Sequence, residues 1–161
     1  MRLTPWAQRN VMKKLFGLVN KVIVLLSETP LHRLFSHQVM VLRFSGRRSG
    51  RPYAIPVSYG LDGTTGTVTC MTDVSGVWWK NLLAVDSIEI TLKGVRLTVL
   101  TRVEATDEKA IRHALAGFCR RSRISAFFAG VSMVRGEPVS RDLEAAAAKH
   151  VLIELSDESE R

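Results

Sequence analysis

Between residues 38 and 72 three apolar segments follow one another with only short, glycine-bearing joints between them. Gln38–Phe44 (QVMVLRF), Tyr53–Tyr59 (YAIPVSY) and Thr67–Thr72 (TVTCMT) have the β-branched and aromatic content of strands. Joints this short cannot carry a parallel crossover, so the three segments must form an antiparallel meander. Asp62-Gly63 in the second joint is a hairpin signal. Further on, Ser87–Lys93 and Val95–Glu104 alternate apolar and polar residues about Gly94, which predicts a second hairpin with one face buried. Val151–Leu155 (VLIEL) is a last strand. About six mostly antiparallel strands, with helices filling the gaps, predict an α+β chain built as a small barrel with one sheet partly split.

The helices are read from apolar spacing and caps. Residues 5–27 place apolar side chains at 11, 12, 15, 16, 19, 22, 23 and 26, one helical face, and Thr29-Pro30 ends that segment. Asp73–Ala84 is a loop and short helix with Ser75 as N-cap. Thr106 begins a helix that continues through Phe118, with Asp107 and Glu108 in its first turn. Ile124–Met133 accommodates a second short helix, and Ser140 caps a further one through His150. With 161 residues the chain makes one domain large enough for a real core. The expected division is a helix over 1–30 packed on the domain, a barrel over 31–156 and a loose tail at 157–161.

Charge is unevenly spread. Residues 1–51 carry ten Lys and Arg against one acid, whereas residues 52–161 carry thirteen against fourteen. The basic excess therefore belongs to the first third and points to an anionic partner: a phosphorylated cofactor, a membrane surface or nucleic acid. The basic amphipathic segment 5–27 suits peripheral contact with an anionic membrane, and suits packing on its own domain equally well. No run is long enough to span a bilayer and no signal-peptide cleavage site is evident, so the expected location is the cytoplasm or the inner face of its membrane. Cys70 and Cys119 form no disulfide framework, and the four scattered histidines give no metal spacing. Aromatic residues are not interleaved with the basic ones, so nucleic-acid binding is not expected.

Two stretches carry chemistry. The first is Ser45–Val57, SGRRSGRPYAIPV. Gly46 and Gly50 permit a sharp turn and close approach to a ligand. Arg47, Arg48 and Arg51 offer guanidinium forks suited to phosphate oxygens, and backbone N–H groups in such a turn can form an anion-binding concavity. A solvated basic hairpin accounts for the same spacing. The second is VWWKNLLA, residues 77–84. Adjacent tryptophans on a helix point about 100° apart, so one of Trp78 and Trp79 packs inside while the other lines a surface or cleft. Asn81 is placed to bond a ligand or its own backbone.

These motifs resemble a known family. GRRSGRPYAIPV is similar to the "GRKSG" signature of deazaflavin-dependent nitroreductases and quinone reductases, and VWWKNLLAVDSIEITLKG resembles that family's Trp-aromatic-x-Asn-Leu helix with its next strand. The resemblance covers roughly residues 35–105. It implies an FMN-binding split-barrel-like fold and a deazaflavin cofactor, coenzyme F-420, whose hydride passes to an electrophilic acceptor such as a quinone, nitro compound or enone. By the same resemblance Arg48, Ser49 and Gly50 meet the cofactor phosphate, Arg48 replacing a lysine, with Arg47 and Arg51 as helpers. Pro56 and Val57 lie beside the ring, Trp78, Trp79 and Asn81 beyond it, and Met71, Thr72 and Asp73 on the strand leading there. No residue stands out as an acid or base. Tyr53, Ser58 and Tyr59 are the candidates for contact with the acceptor, and each is equally a strand residue with a satisfied hydroxyl. FMN on the same fold is the alternative cofactor, a non-catalytic barrel holding a cofactor or fatty acid the alternative function, and a homodimer the expected assembly.

Overall fold

The computed structural model describes residues 39–62 and 65–157. The helix expected over 5–27, the connector 31–37 and the last residues of the tail lie outside them. The elements are β1 (Val39–Ser45), β2 (Pro52–Leu61), β3 (Val68–Asp73), a 3-10 helix (Trp78–Ala84), β4 (Ser87–Leu92) and β5 (Val95–Glu104). After these come α1 (Glu108–Arg121), α2 (Arg123–Ala129), a hairpin of β6 (Met133–Val134) and β7 (Glu137–Pro138), α3 (Ser140–Ala147) and β8 (His150–Ser156).

Six strands close into an antiparallel barrel in the order β1-β2-β3-β8-β5-β4. The meander is β1–β3, with Met40 opposite Val57 and Tyr59 opposite Cys70. The second hairpin turns on Lys93 and Gly94, both at positive φ (50° and 81°), the pair of left-handed residues that a two-residue turn of the tightest kind requires. β8 closes the barrel by pairing with β3 on one side and β5 on the other.

Strand alternation sorts the core into layers. Met40, Leu42 and Phe44 of β1 point inward, with Cys70, Ile88, Ile90, Val151, Ile153 and Leu155. Trp79 and Leu82 of the 3-10 helix join them. On the outside of β3 and β8, Met71 and Leu152 meet α1, α2 and α3 through Ile111, Leu115, Cys119, Ala126, Leu143, Ala146 and Ala147. β8 is thus buried on both faces, which is why VLIEL reads as a nearly unbroken apolar run.

Several helix boundaries differ from expectation, and at two of them a carboxylate takes the backbone N–H groups. Ser75 does not cap the 3-10 helix. Val77 stands there without a side-chain bond, and Ser75 instead gives its N–H to Asp73 Oδ1 at 2.7 Å. Asp107 is the N-cap of α1 rather than part of its first turn, accepting from Lys109 and Ala110 N–H. Ser140 is the first residue of α3, behind an uncapped Val139, and His150 belongs to β8.

Glu104 secures the entry to α1. Its Oε1 accepts from Thr106 N–H, Thr106 Oγ and Asp107 N–H at 2.8–2.9 Å. The Asp107 and Thr106 bonds draw its carboxyl down to about 2. A carboxyl lowered by folding stabilises above its unfolded value near 4.3 and loses that contribution as pH falls toward 2. Glu104→Gln should therefore melt at a lower temperature than the parent protein at pH 7, and the gap should close between pH 4.5 and pH 2 in thermal scans.

Candidate functional site

β2 and β3 pair only at one end, Tyr59–Leu61 against Val68–Cys70. From Ser58 back to Pro52, β2 pairs with β1 alone, and Met71–Asp73 pair with β8 alone. A proline is compatible with such an unpaired edge, and Pro56 lies in the middle of it. The strands part, and a cleft of about 700 Å³ opens between them.

One wall of the cleft is Ile55–Ser58, the other Met71–Asp73, with Trp78 beside them. Leu115 and Phe118 of α1 and the whole outer face of α2 complete it. Ile124, Phe127 and Phe128 of α2 stand 65%, 79% and 80% exposed, the two phenyl rings edge to face at 5.6 Å. Such exposure of large apolar groups beside a concavity marks a binding lip.

The cleft's polar end is Asp73, Lys149 and His150. Hydrogen bonds from Ser75, helped by the charges of His150 and Lys149, hold the Asp73 carboxyl below the usual range. His150 Nδ1 lies 2.7 Å from the Ala146 carbonyl oxygen. That oxygen only accepts, so Nδ1 carries the proton and Nε2 is the acceptor of the neutral ring.

Of the residues expected at the site, the cleft gathers Pro56, Val57, Ser58, Met71, Thr72, Asp73 and Trp78. It leaves out Trp79, which is 7% exposed, packed in the barrel core and bonded through its indole N–H to the Val74 carbonyl. Tyr53 and Tyr59 do not line it either. Tyr53 stacks on Phe44, which stacks on Trp78; Tyr59 packs against the core, and burial pushes its hydroxyl up.

The arginine loop lies outside the cleft, at the start of β2, with Arg47–Arg51 exposed and Gly46 buried. Gly46 N–H donates to the Arg51 carbonyl and Gly50 N–H to the Gly46 carbonyl, both at 2.8 Å. Gly50 sits at φ 63°, where a side chain would be strained. A Cβ on Gly46 would come within 2.8 Å of Ser49 Oγ and the Tyr53 ring. Asn81 Oδ1 accepts Arg47 N–H at 3.0 Å while its Nδ2 donates to the Trp78 carbonyl at 2.8 Å. Asn81 therefore clasps the loop to the helix that presents Trp78. Among the described residues the amides of Arg48 and Ser49 have no acceptor, and Arg47, Arg48 and Arg51 have no ion pair. Consecutive free N–H groups beside guanidinium forks make an anion-binding turn.

Nothing else in the described residues offers covalent or metal chemistry. Cys70 is buried with its thiol pushed up to about 12, and burial also raises Cys119. No three metal-ligating side chains cluster among the described residues.

No protein-family model matches the sequence, and no curated protein does either. Solved structures do. An FMN-binding protein related to pyridoxamine 5'-phosphate oxidase, from Nostoc punctiforme PCC 73102, superposes with a TM-score of 0.52 at 14% identity, over 98% of this chain and 83% of its own. This protein is a split β-barrel. A candidate pyridoxamine 5'-phosphate oxidase from Listeria innocua is similar at a TM-score of 0.50 and 16% identity, covering 83% of this split barrel and 94% of that chain. A structure described as a domain-swapped dimer reaches 0.51 at 11% identity, over 92% and 96% of the two chains. The parting of β2 from β3 is where this split barrel opens. The α2 lip and the Lys149–His150 pair went unnoticed in the sequence, because a short apolar helix reads as core and a cation after a helix reads as a dipole partner.

Proposed function

We propose that this split barrel is an oxidoreductase that holds a flavin-type cofactor, by preference the deazaflavin coenzyme F-420, and uses it to reduce an electrophilic apolar acceptor. The observation carrying this reading is the cleft itself. The unpaired edge of β2 faces an apolar lip on α2, and the basic turn that leads into β2 is held by Asn81 to the helix presenting Trp78.

The residues fit such a group on three counts. A cleft of about 700 Å³ is in the range of cofactor sites. The edge backbone of Ile55–Ser58 and Met71–Asp73 faces no described strand across the gap, so its polar atoms are open to the edge of a ring. The free amides of Arg48 and Ser49, with the guanidinium of Arg48, suit a phosphate. A reduced deazaflavin or flavin would supply the hydride, and the protein the binding, orientation and dryness.

The chain's own contribution follows from its side chains. Trp78 and Val57 form an apolar floor, and Ile124, Phe127 and Phe128 shield the acceptor from water. Ser58 and Thr72 offer hydroxyls at the mouth, and His150 holds a ring nitrogen at the polar end. Asn81 keeps the loop at a fixed distance from Trp78. The apolar lip favours a quinone or another flat, poorly soluble acceptor over a small polar one. A homodimer remains our proposal for the assembly, supported by the dimeric structure of the same fold.

The test is a titration of the purified protein with oxidised F-420 and, separately, with FMN, followed by fluorescence. We expect saturable binding of F-420, weaker binding of FMN, and turnover of a naphthoquinone by the reduced form of whichever binds. Preference for FMN would keep the site and change the cofactor. Binding of neither would remove the oxidoreductase reading in favour of an apolar-ligand carrier.

A further inference from the structure

Where β2 rejoins β3, a second cavity of about 700 Å³ lies beside α1, away from the cleft. Gly60 and Thr69 line it from the strands, Thr67 from the turn before β3, and His113, Gly117 and Arg121 from the helix. The Arg121 guanidinium rests on the Phe118 ring, 5.0 Å from its centroid. Phe118 also lines the cleft, so the same residue borders the cleft and carries this arginine.

The arginine occupies a slot shaped by missing side chains. A Cβ at Gly60 would collide with the guanidinium, and one at Gly117 would stand 3.4 Å from Nη1. Its neighbours on α1 are spoken for: Arg120 bonds Glu137 at 2.8 Å and Arg112 bonds Glu144 at 3.1 Å. Arg121 has no carboxylate partner among the described residues. The two acids on the cavity are themselves engaged, Glu154 with Arg102 at 3.4 Å and Asp62 with Thr65 N–H at 3.2 Å. Thr67 Oγ accepts from Thr65 Oγ and keeps its own proton to donate.

We propose that Arg121 and this cavity form an anion-binding subsite, which takes a charged oxyanion group on the molecule whose apolar part occupies the cleft. A guanidinium resting on a ring, exposed and without a carboxylate partner among the described residues, suits a carboxylate or a phosphate. The nearby Asp62 and Glu154 disfavour a dianion, so a carboxylate fits better. Gly60 lies three steps along β2 from Val57, which puts the charge about 10 Å from the part held in the cleft. The proposal rests on the cleft reading only for the identity of that part: it makes the acceptor an amphipathic acid rather than a neutral apolar molecule.

The probes are three naphthoquinones bearing a four-carbon side chain that ends in a carboxylate, its methyl ester, or a phosphate. Binding to the protein without cofactor is read by quenching of tryptophan fluorescence, since Trp78 forms part of the cleft wall. The carboxylate should bind about fivefold more tightly than the ester, and the difference should shrink as salt is added. Arg121→Gln should bind acid and ester equally, with an unchanged circular dichroism spectrum. Gly60→Ala, which keeps the arginine but displaces it, should also abolish the preference. Tighter binding of the phosphate would keep the subsite and assign it to phosphorylated molecules. Equal affinities in the parent protein, or a preference that survives both substitutions, would overturn the subsite. Reduction of the quinones is scored apart: acid preference without turnover would leave the subsite standing and sink the oxidoreductase reading, and turnover without preference would do the reverse.

Discussion

Trp79→Ala should destabilise this barrel by about 3–5 kcal/mol, while Trp78→Ala should leave most of its stability and weaken ligand binding instead. The two tryptophans are adjacent in sequence and opposite in role. Trp79 is buried among the barrel residues and its indole N–H is bonded to the Val74 carbonyl. Removing it leaves a cavity in the barrel core that cannot collapse, because strands fix the Cα positions around it, and it orphans the Val74 carbonyl. Trp78 is half-buried and stacks on Phe44 at 6.1 Å while facing the cleft. Its loss exposes one edge of Phe44 without opening the core. Chemical denaturation of the two variants, with naphthoquinone quenching on the folded protein, separates the effects. Equal destabilisation by both would mean that Trp78 is a core residue and the cleft wall is misplaced.

The pair illustrates what the sequence discloses and what it withholds. A step of about 100–120° between neighbours on an α- or 3-10 helix keeps both indoles from facing in, but does not say which one does. That choice depends on β5 and β1 packing against the 3-10 helix, contacts distant in the chain. The strands were legible because each has its own alternation and each turn its own glycine: β5 runs from Val95 to Glu104 as expected, and Lys93-Gly94 makes the tight link. The closing position of β8 between β3 and β5 was not, since pairing with both is a property of the finished barrel. The cleft was half legible. Pro56, Val57 and Met71–Asp73 sit on strands whose motifs mark them, whereas Phe118, Phe127, Phe128 and His150 reach it from helices and a strand far along the chain. The expected cap at Ser75 failed because that residue lies two positions before the helix start, where Val77 stands, and its own N–H goes to the Asp73 carboxylate.

Arg48→Ala should weaken binding of a phosphorylated cofactor about tenfold, and Asn81→Ala should do nearly the same without touching the phosphate. The first effect follows from losing a charged fork beside two free amides, a bond of the charge-assisted kind worth roughly 1.5 kcal/mol or more. The second follows from the clasp. Asn81 holds Arg47 N–H and the Trp78 carbonyl at once, so its removal frees the turn that aligns the Arg48 and Ser49 amides and loosens the wall that Trp78 makes. Because both substitutions act on one turn, their effects should not add: the double variant should bind only slightly more weakly than either single one. Arg48→Lys keeps the charge but not the fork, and should fall between. Salt gives the control, since the exposed loop is screened by added electrolyte and the parent's advantage over Arg48→Ala should narrow from 50 mM to 500 mM KCl. Full additivity in the double variant would mean that Asn81 contacts the ligand directly. No loss in Arg48→Ala would reduce the arginine loop to a solvated hairpin and move the phosphate elsewhere.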